Sequence, residues 1–187
     1  MEFRDLKRQY QYLKSEMDMA LQEVIENTNF IHGRQVAELE KQLAEYVGTK
    51  HCIACANGTD ALQLALMTWN IGQGDAVFVP DFTFFSSGEV VSAVGAVPVF
   101  VDVDPDTCNI DMDSLEHMIE KTIEKGTLTP KAIITVDLFG QPADYVKIKK
   151  IAEKYQLMIL EDAAQGFGGK IGEEKACSFG SIATTSF

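Results

Sequence analysis

Apolar residues recur at helical spacing through the first fifty positions and then regroup into short, strand-like blocks. Leu6, Tyr10, Leu13, Met17, Leu21, Val24 and Ile25 form one helical stripe, and Asp5 is placed to cap its first turn. The stripe breaks at "NTNFIHG". Val36, Leu39, Leu43 and Tyr46 then mark the face of a second helix, which Gly48 is suited to end. From residue 51 the period changes. "HCIACA" reads as a strand, "NGTDALQLALMTWNI" as a turn feeding a helix, and "DAVFVP" as a strand. "SSGEVVSAVG" reads as a helix, "AVPVFVDVD" as a strand, and "DMDSLEHMIEKTI" as a helix. "KAIITVDLF" is again a strand, "PADYVKIKKIAEKY" a helix and "LMILEDA" a strand. Past Gly166 the helical period stops, and "GGKIGEEKACSFGSIATTSF" reads as hairpin strands joined by Gly and charged turns.

Short β-branched runs separated by helices predict an α/β fold, with a mostly parallel sheet covered by helices on both faces. Residues 1–50 are expected to form a helical arm ahead of the sheet-bearing part, residues 51–187. In open sheets of this kind ligands lie beyond the carboxyl ends of the strands. The segments to watch are therefore 57–59, 81–85, 102–104, 137–140 and 161–165.

Composition narrows the function. The 187 residues carry a formal net charge of −12, which argues against nucleic-acid binding and against docking on anionic membranes. No apolar run is long enough to cross a bilayer. The start, "MEFRDLKRQY", lacks the apolar core of a secretion signal, so the expectation is a cytoplasmic protein. Of the four cysteines, Cys52 and Cys55 make a C-x-x-C beside His51. On a strand, positions three apart face opposite sides, and no second pair completes a zinc set. Buried thiols on a core strand are the expectation there.

Three stretches could carry chemistry. In "ANGTDAL", Gly58 and Thr59 offer backbone N–H groups and a hydroxyl at a helix start, a natural anion site; equally, Asn57 and Gly58 make a plain turn that Thr59 caps. No Walker loop and no G-x-G-x-x-G occurs, which disfavours a P-loop ATPase or a nicotinamide dehydrogenase. In "VPDFTFFSSGE", Phe82, Phe84 and Phe85 could stack on a flat ligand or fill the core. In "ILEDAAQGFGG", Glu161 and Asp162 follow a buried strand, where ionised carboxylates are costly unless paired. Period-two alternation sends the two to opposite faces, so they are not a catalytic dyad. One is expected to meet a cation, such as a protonated heterocycle, and the other a backbone amide, a basic side chain or solvent.

Taken together, "FIHGRQVAELEKQLAEYVGTKHCIACANGTDALQLAL", "VFVPDFTFFSSGEVVSAVGAVPVFVDVD", "DLFGQPAD" and "ILEDAAQGFGG" resemble the DegT/DnrJ/EryC1/StrS sugar aminotransferase family. That family lies within the fold-type I pyridoxal 5′-phosphate (PLP) enzymes, whose large domain is aspartate aminotransferase-like. The resemblance implies that Asp162 pairs with the PLP ring nitrogen and Gln165 with its phenolic oxygen. It further implies that Phe84 stacks on the ring, and that Gly58, Thr59 and Ser186 hold the phosphate. It places the Schiff-base lysine just beyond Phe187, so no catalytic residue is expected within these 187, and it implies a further small C-terminal domain. "DLFGQPAD" departs from many relatives, which carry His at a substrate contact where Asp137 stands. The activity implied is amino transfer, with glutamate as donor, to a nucleotide-linked keto sugar by a homodimer. Overall similarity leans toward relatives that aminate UDP-linked sugars for surface polysaccharides. The alternatives are a pyridoxamine phosphate-dependent sugar dehydratase of the same family, a non-catalytic regulatory member, and a stand-alone Rossmann-like binding domain.

Overall fold

Most helix starts in this chain are set by short acidic and amide side chains that accept otherwise unpaired N–H groups. A computed structural model describes residues 5–187; residues 1–4, at the head of the expected arm, lie outside them. Asp5 accepts from Arg8 N at 2.8 Å and opens α1, Leu6–Asn27. The second helix, α2 (Arg34–Val47), ends on Gly48 in the left-handed region, φ 90°. Asn57 opens α3 (Gly58–Thr68), Asp111 opens α5 (Met112–Lys125) and Asp144 opens α6 (Tyr145–Tyr155). Between them lies α4 (Phe85–Ala93), which follows Phe84 without a side-chain cap.

The strands are β1 (Asp75–Pro80), β2 (Val97–Val101), β3 (Thr129–Val136), β4 (Met158–Asp162) and β7 (Ile182–Thr184). They form one parallel sheet in the order β2-β1-β3-β4-β7. The chain steps from β1 to β2 in one direction and from β2 back past β1 to β3 in the other. Crossovers of one hand then place their helices on opposite faces. One face is Phe78, Ile133 and Ile159 packed under Leu115, Ile119, Tyr145 and Ile148 of α5 and α6. The other is Val77, Val79, Ile134, Val136 and Leu160 under Leu62 and Leu66 of α3 and Val90 and Val91 of α4. Full burial of each such side chain contributes about 1.5–3 kcal/mol. The reversal of direction opens a crevice beyond the carboxyl ends of β1 and β3.

The expected fold class holds, with local corrections. "HCIACA" is not a strand: residues 51–55 join no ladder and Ala56 lies in a bend. A strand exists only where a neighbour takes its N–H and C=O groups. Here Ala54 N donates instead to the Glu40 carboxylate of α2, at 2.7 Å. Cys52 is accordingly only half-buried and Cys55 exposed, so neither is a core-strand thiol. The tail is not a run of hairpins. Only β5 (Lys170–Ile171) and β6 (Glu174–Lys175) pair antiparallel, whereas β7 enters the main sheet parallel to β4. The strand read through "KAIITVDLF" stops at Val136, and Leu138–Gly140 forms a 3-10 turn with Phe139 left-handed, φ 57°. No helix among the described residues is long and apolar enough to cross a membrane.

Candidate functional site at the carboxyl end of the sheet

Asp162 is the last residue of β4, in register with Val136 on one side and Thr184 on the other. Its carboxylate is only 5% exposed. Oδ2 accepts from the Ser87 hydroxyl at 2.8 Å, and Oδ1 from Ala164 N at 3.3 Å. Ser87 in turn lies 3.1 Å from the Thr83 hydroxyl, so a short relay ties the start of α4 to the end of β4. Among the described residues no ion pair reaches Asp162. Burial pushes its carboxyl above the usual range, against the pull of Ser87 and Ala164. A buried carboxylate with two neutral donors and no cation is costly to ionise, and a positive partner would lower that cost.

Glu161 points to the opposite face, as alternation requires. It is fully buried and accepts from Cys177 N, from Phe179 N at 2.7 Å and from Gly180 N at 3.0 Å. The neighbouring carboxylates thus divide as expected, one to backbone amides and one to the crevice.

At the start of α3, Asn57 Oδ1 accepts from Asp60 N at 2.9 Å. Asn57, not Thr59, is therefore the cap, and Thr59 stands in the first turn with its hydroxyl not used for capping. Gly58 lies against Ser186: a Cβ added there would sit 3.0 Å from Ser186 Cβ and 3.3 Å from its Oγ. The structure so brings together two residues 128 positions apart, a helix N-terminus and a hydroxyl, so closely that a side chain at 58 would crowd Ser186.

Gln165 follows Asp162 on the turn closed by Gly166 N to Ala163 O, 3.0 Å. Its Oε1 accepts from Phe139 N at 2.8 Å. With the oxygen engaged, the Nε2 end is left to donate, which suits an anionic oxygen. Phe82, Phe84 and Phe85 are 50%, 69% and 76% exposed, which removes the core-filling reading of all three. Phe82 meets Phe139 edge-on at 6.4 Å across the crevice between β1 and β3, and Phe84 O accepts from Ser87 N at 3.1 Å.

Position 137 corrects an expectation. Asp137 is 0% exposed beneath the Gly166 turn, so it cannot contact a substrate. Ser87 and Thr83 were not singled out from the sequence. The one signal was a polar pair, Ser86-Ser87, in the first turn of α4.

The family model described as the DegT/DnrJ/EryC1/StrS aminotransferase family matches residues 11–187. The UDP-2-acetamido-2-deoxy-3-oxo-D-glucuronate aminotransferase of Pseudomonas aeruginosa is 45% identical over 186 residues, spanning 100% of this chain and 50% of that protein. A protein of Geobacillus stearothermophilus named pleiotropic regulatory protein is 43% identical over 184 residues, covering 98% of this chain and 47% of its own. The crystal structure of a DegT DnrJ EryC1 StrS aminotransferase from Brucella abortus superposes with a TM-score of 0.98 at 52% identity, over 100% of this chain and 50% of that one. The chain therefore spans about half the length of the relatives it matches. By family match, sequence and fold alike, it belongs to the DegT/DnrJ/EryC1/StrS aminotransferase family.

Proposed function

We propose that this chain carries the PLP-binding part of an aminotransferase that moves an amino group from glutamate to a nucleotide-linked keto sugar. The observation that carries the reading is Asp162, a buried carboxylate at the crevice with neutral donors and no cation. The residues present fit PLP. Asp162 suits a protonated ring nitrogen, and the Gln165 Nε2 end suits a phenolic oxygen. The exposed Phe84 suits a flat ring, and the start of α3, where Gly58 and Thr59 stand beside the Ser186 hydroxyl, suits a phosphate. When bound, PLP supplies the electron sink that stabilises a carbanion next to an amine nitrogen. The chain's own part is electrostatic and steric. Asp162 would hold a proton on the ring nitrogen, with its carboxylate oriented by the Ser87–Thr83 relay, and the helix start would offset the phosphate charge.

Substrate class rests on the relatives, of which the Pseudomonas protein is named for a UDP-linked keto sugar. Adding glutamate to the intact, PLP-loaded protein should change the bound cofactor's absorbance, and a UDP-linked keto sugar should restore it. The name of the Geobacillus relative favours a second, regulatory reading. That reading gains if PLP binds yet neither compound alters the spectrum.

Two substitutions test individual contacts. Gly58→Val should raise the PLP dissociation constant by about tenfold or more, because its side chain would crowd Ser186 and displace its hydroxyl from the helix start. An unchanged constant would remove the phosphate from this cradle. Phe84→Ala should weaken PLP retention by about 0.5–1.5 kcal/mol, and Phe85→Ala by less. Equal losses would show that stacking does not distinguish the two.

A further inference from the structure

We propose that Asp137 and Glu161 hold one proton between them, and that this acid–carboxylate bridge positions the turn bearing Asp162 and Gln165. The positioning half rests on the site reading above; the shared proton does not.

The geometry begins in the sheet. Thr135 of β3 is in register with Glu161 of β4. Asp137, two residues beyond Thr135, returns to the same face one step further on, and its N–H donates to Asp162 O at 3.0 Å. Both carboxyls are fully buried. Asp137 Oδ1 accepts from the Tyr145 hydroxyl at 2.8 Å and from Ala143 N at 3.2 Å. Asp137 Oδ2 is buried with no donor.

The groups facing this pair are Tyr145 from α6, whose hydroxyl also meets Thr135 at 3.0 Å, and the Cys177 thiol from the segment after β6. Burial holds the hydroxyl and the thiol in their neutral forms. Among the described residues neither carboxylate has an ion-pair partner. Two adjacent buried carboxylates without a cation cannot both ionise. Glu161, with three amide donors, is the one that keeps the charge. The proton then belongs on the orphaned Oδ2 of Asp137, which becomes a donor toward Glu161. Burial, and next to it the Glu161 charge, raise Asp137 to about 7.

The bridge touches the site through Gly166. A Cβ at that position would fall 2.5 Å from Asp137 Cβ and 2.8 Å from Oδ2, so the turn after Asp162 rests directly on this carboxyl. Losing the proton sets two charges side by side under that turn. Because the folded-state value lies above the ordinary 3.8, the stability from this group is full below about pH 4 and is lost as pH rises through about 7.

Infrared difference spectra of the intact protein, wild type minus Asp137→Asn, test the proton directly. At about pH 5.5 the difference should contain the carbonyl band of a protonated carboxyl, and at about pH 8.5 that band should be gone. A difference without the band at the lower pH overturns the shared proton. Should Asp137→Asn fail to fold, wild type minus Glu161→Gln serves instead. Asp137 then loses its charged neighbour but not its burial, so it ionises at a lower pH than in wild type; the same band should appear between the two midpoints, and its absence throughout that interval has the same meaning. For the positioning half, the PLP dissociation constant of wild type should rise about tenfold between about pH 6.5 and 8.5, and that of Asp137→Asn should not. Parallel profiles overturn positioning. If PLP binds neither protein, the site reading fails and positioning with it, while the infrared band still decides the proton.

Discussion

Replacing Asp162 by Asn is expected to lower glutamate-dependent amino transfer by about 10²–10³-fold, the usual cost of removing one preorganised electrostatic partner. Folding should be largely spared. Asn keeps the volume and an acceptor oxygen for Ser87 or Ala164, so the denaturation midpoint should correspond to a loss of about 1 kcal/mol or less. What the substitution removes is the charge that favours a protonated ring nitrogen, and with it the electron sink. Steady-state kinetics of the intact protein beside urea denaturation separates the two effects. A variant that turns over at the wild-type rate would remove Asp162 from the chemistry.

The residue before it should behave in the opposite way. Glu161→Ala strips the acceptor from three N–H groups, those of Cys177, Phe179 and Gly180. Unsatisfied buried donors cost about 1–3 kcal/mol each, and breaking a buried charged network costs about 3–5 kcal/mol in total. The variant should therefore unfold about 3–5 kcal/mol more easily in urea. A loss below about 1 kcal/mol would mean that those amides find water, and that Glu161 does not hold the loop leading into β7. One of these neighbouring carboxylates is held by backbone amides and the other, with two neutral donors, faces the crevice.

That division was legible in the sequence, because it follows from the two-residue period of a strand and needs no tertiary knowledge. The same holds for the alternation of strands and helices and for Asp5 and Gly48 at the helix ends. The pairing of Gly58 with Ser186 was not derivable from spacing; only the family resemblance put both residues at one phosphate. What stayed hidden depends on neighbours. "HCIACA" has the local pattern of a strand, but a ladder needs a partner, and Glu40 takes one of its N–H groups instead. Ser87 becomes a ligand of Asp162 only because α4 lies over β4, 75 positions away. Asp137 fell in the segment 137–140, expected to face ligands, yet the Gly166 turn folds over it and closes it from water.

The protonation state of the PLP ring nitrogen in the intact protein tests the central claim most directly, since Asp162 is placed to hold a proton there and Glu161 is not. With nitrogen-15-labelled PLP bound, the ring nitrogen should show the shift of a protonated pyridinium in wild type and in Glu161→Gln. In Asp162→Asn it should move to the shift of a neutral pyridine. A neutral nitrogen in wild type, or the same protonated shift in Asp162→Asn, would contradict the assignment of Asp162 as the group that charges the cofactor.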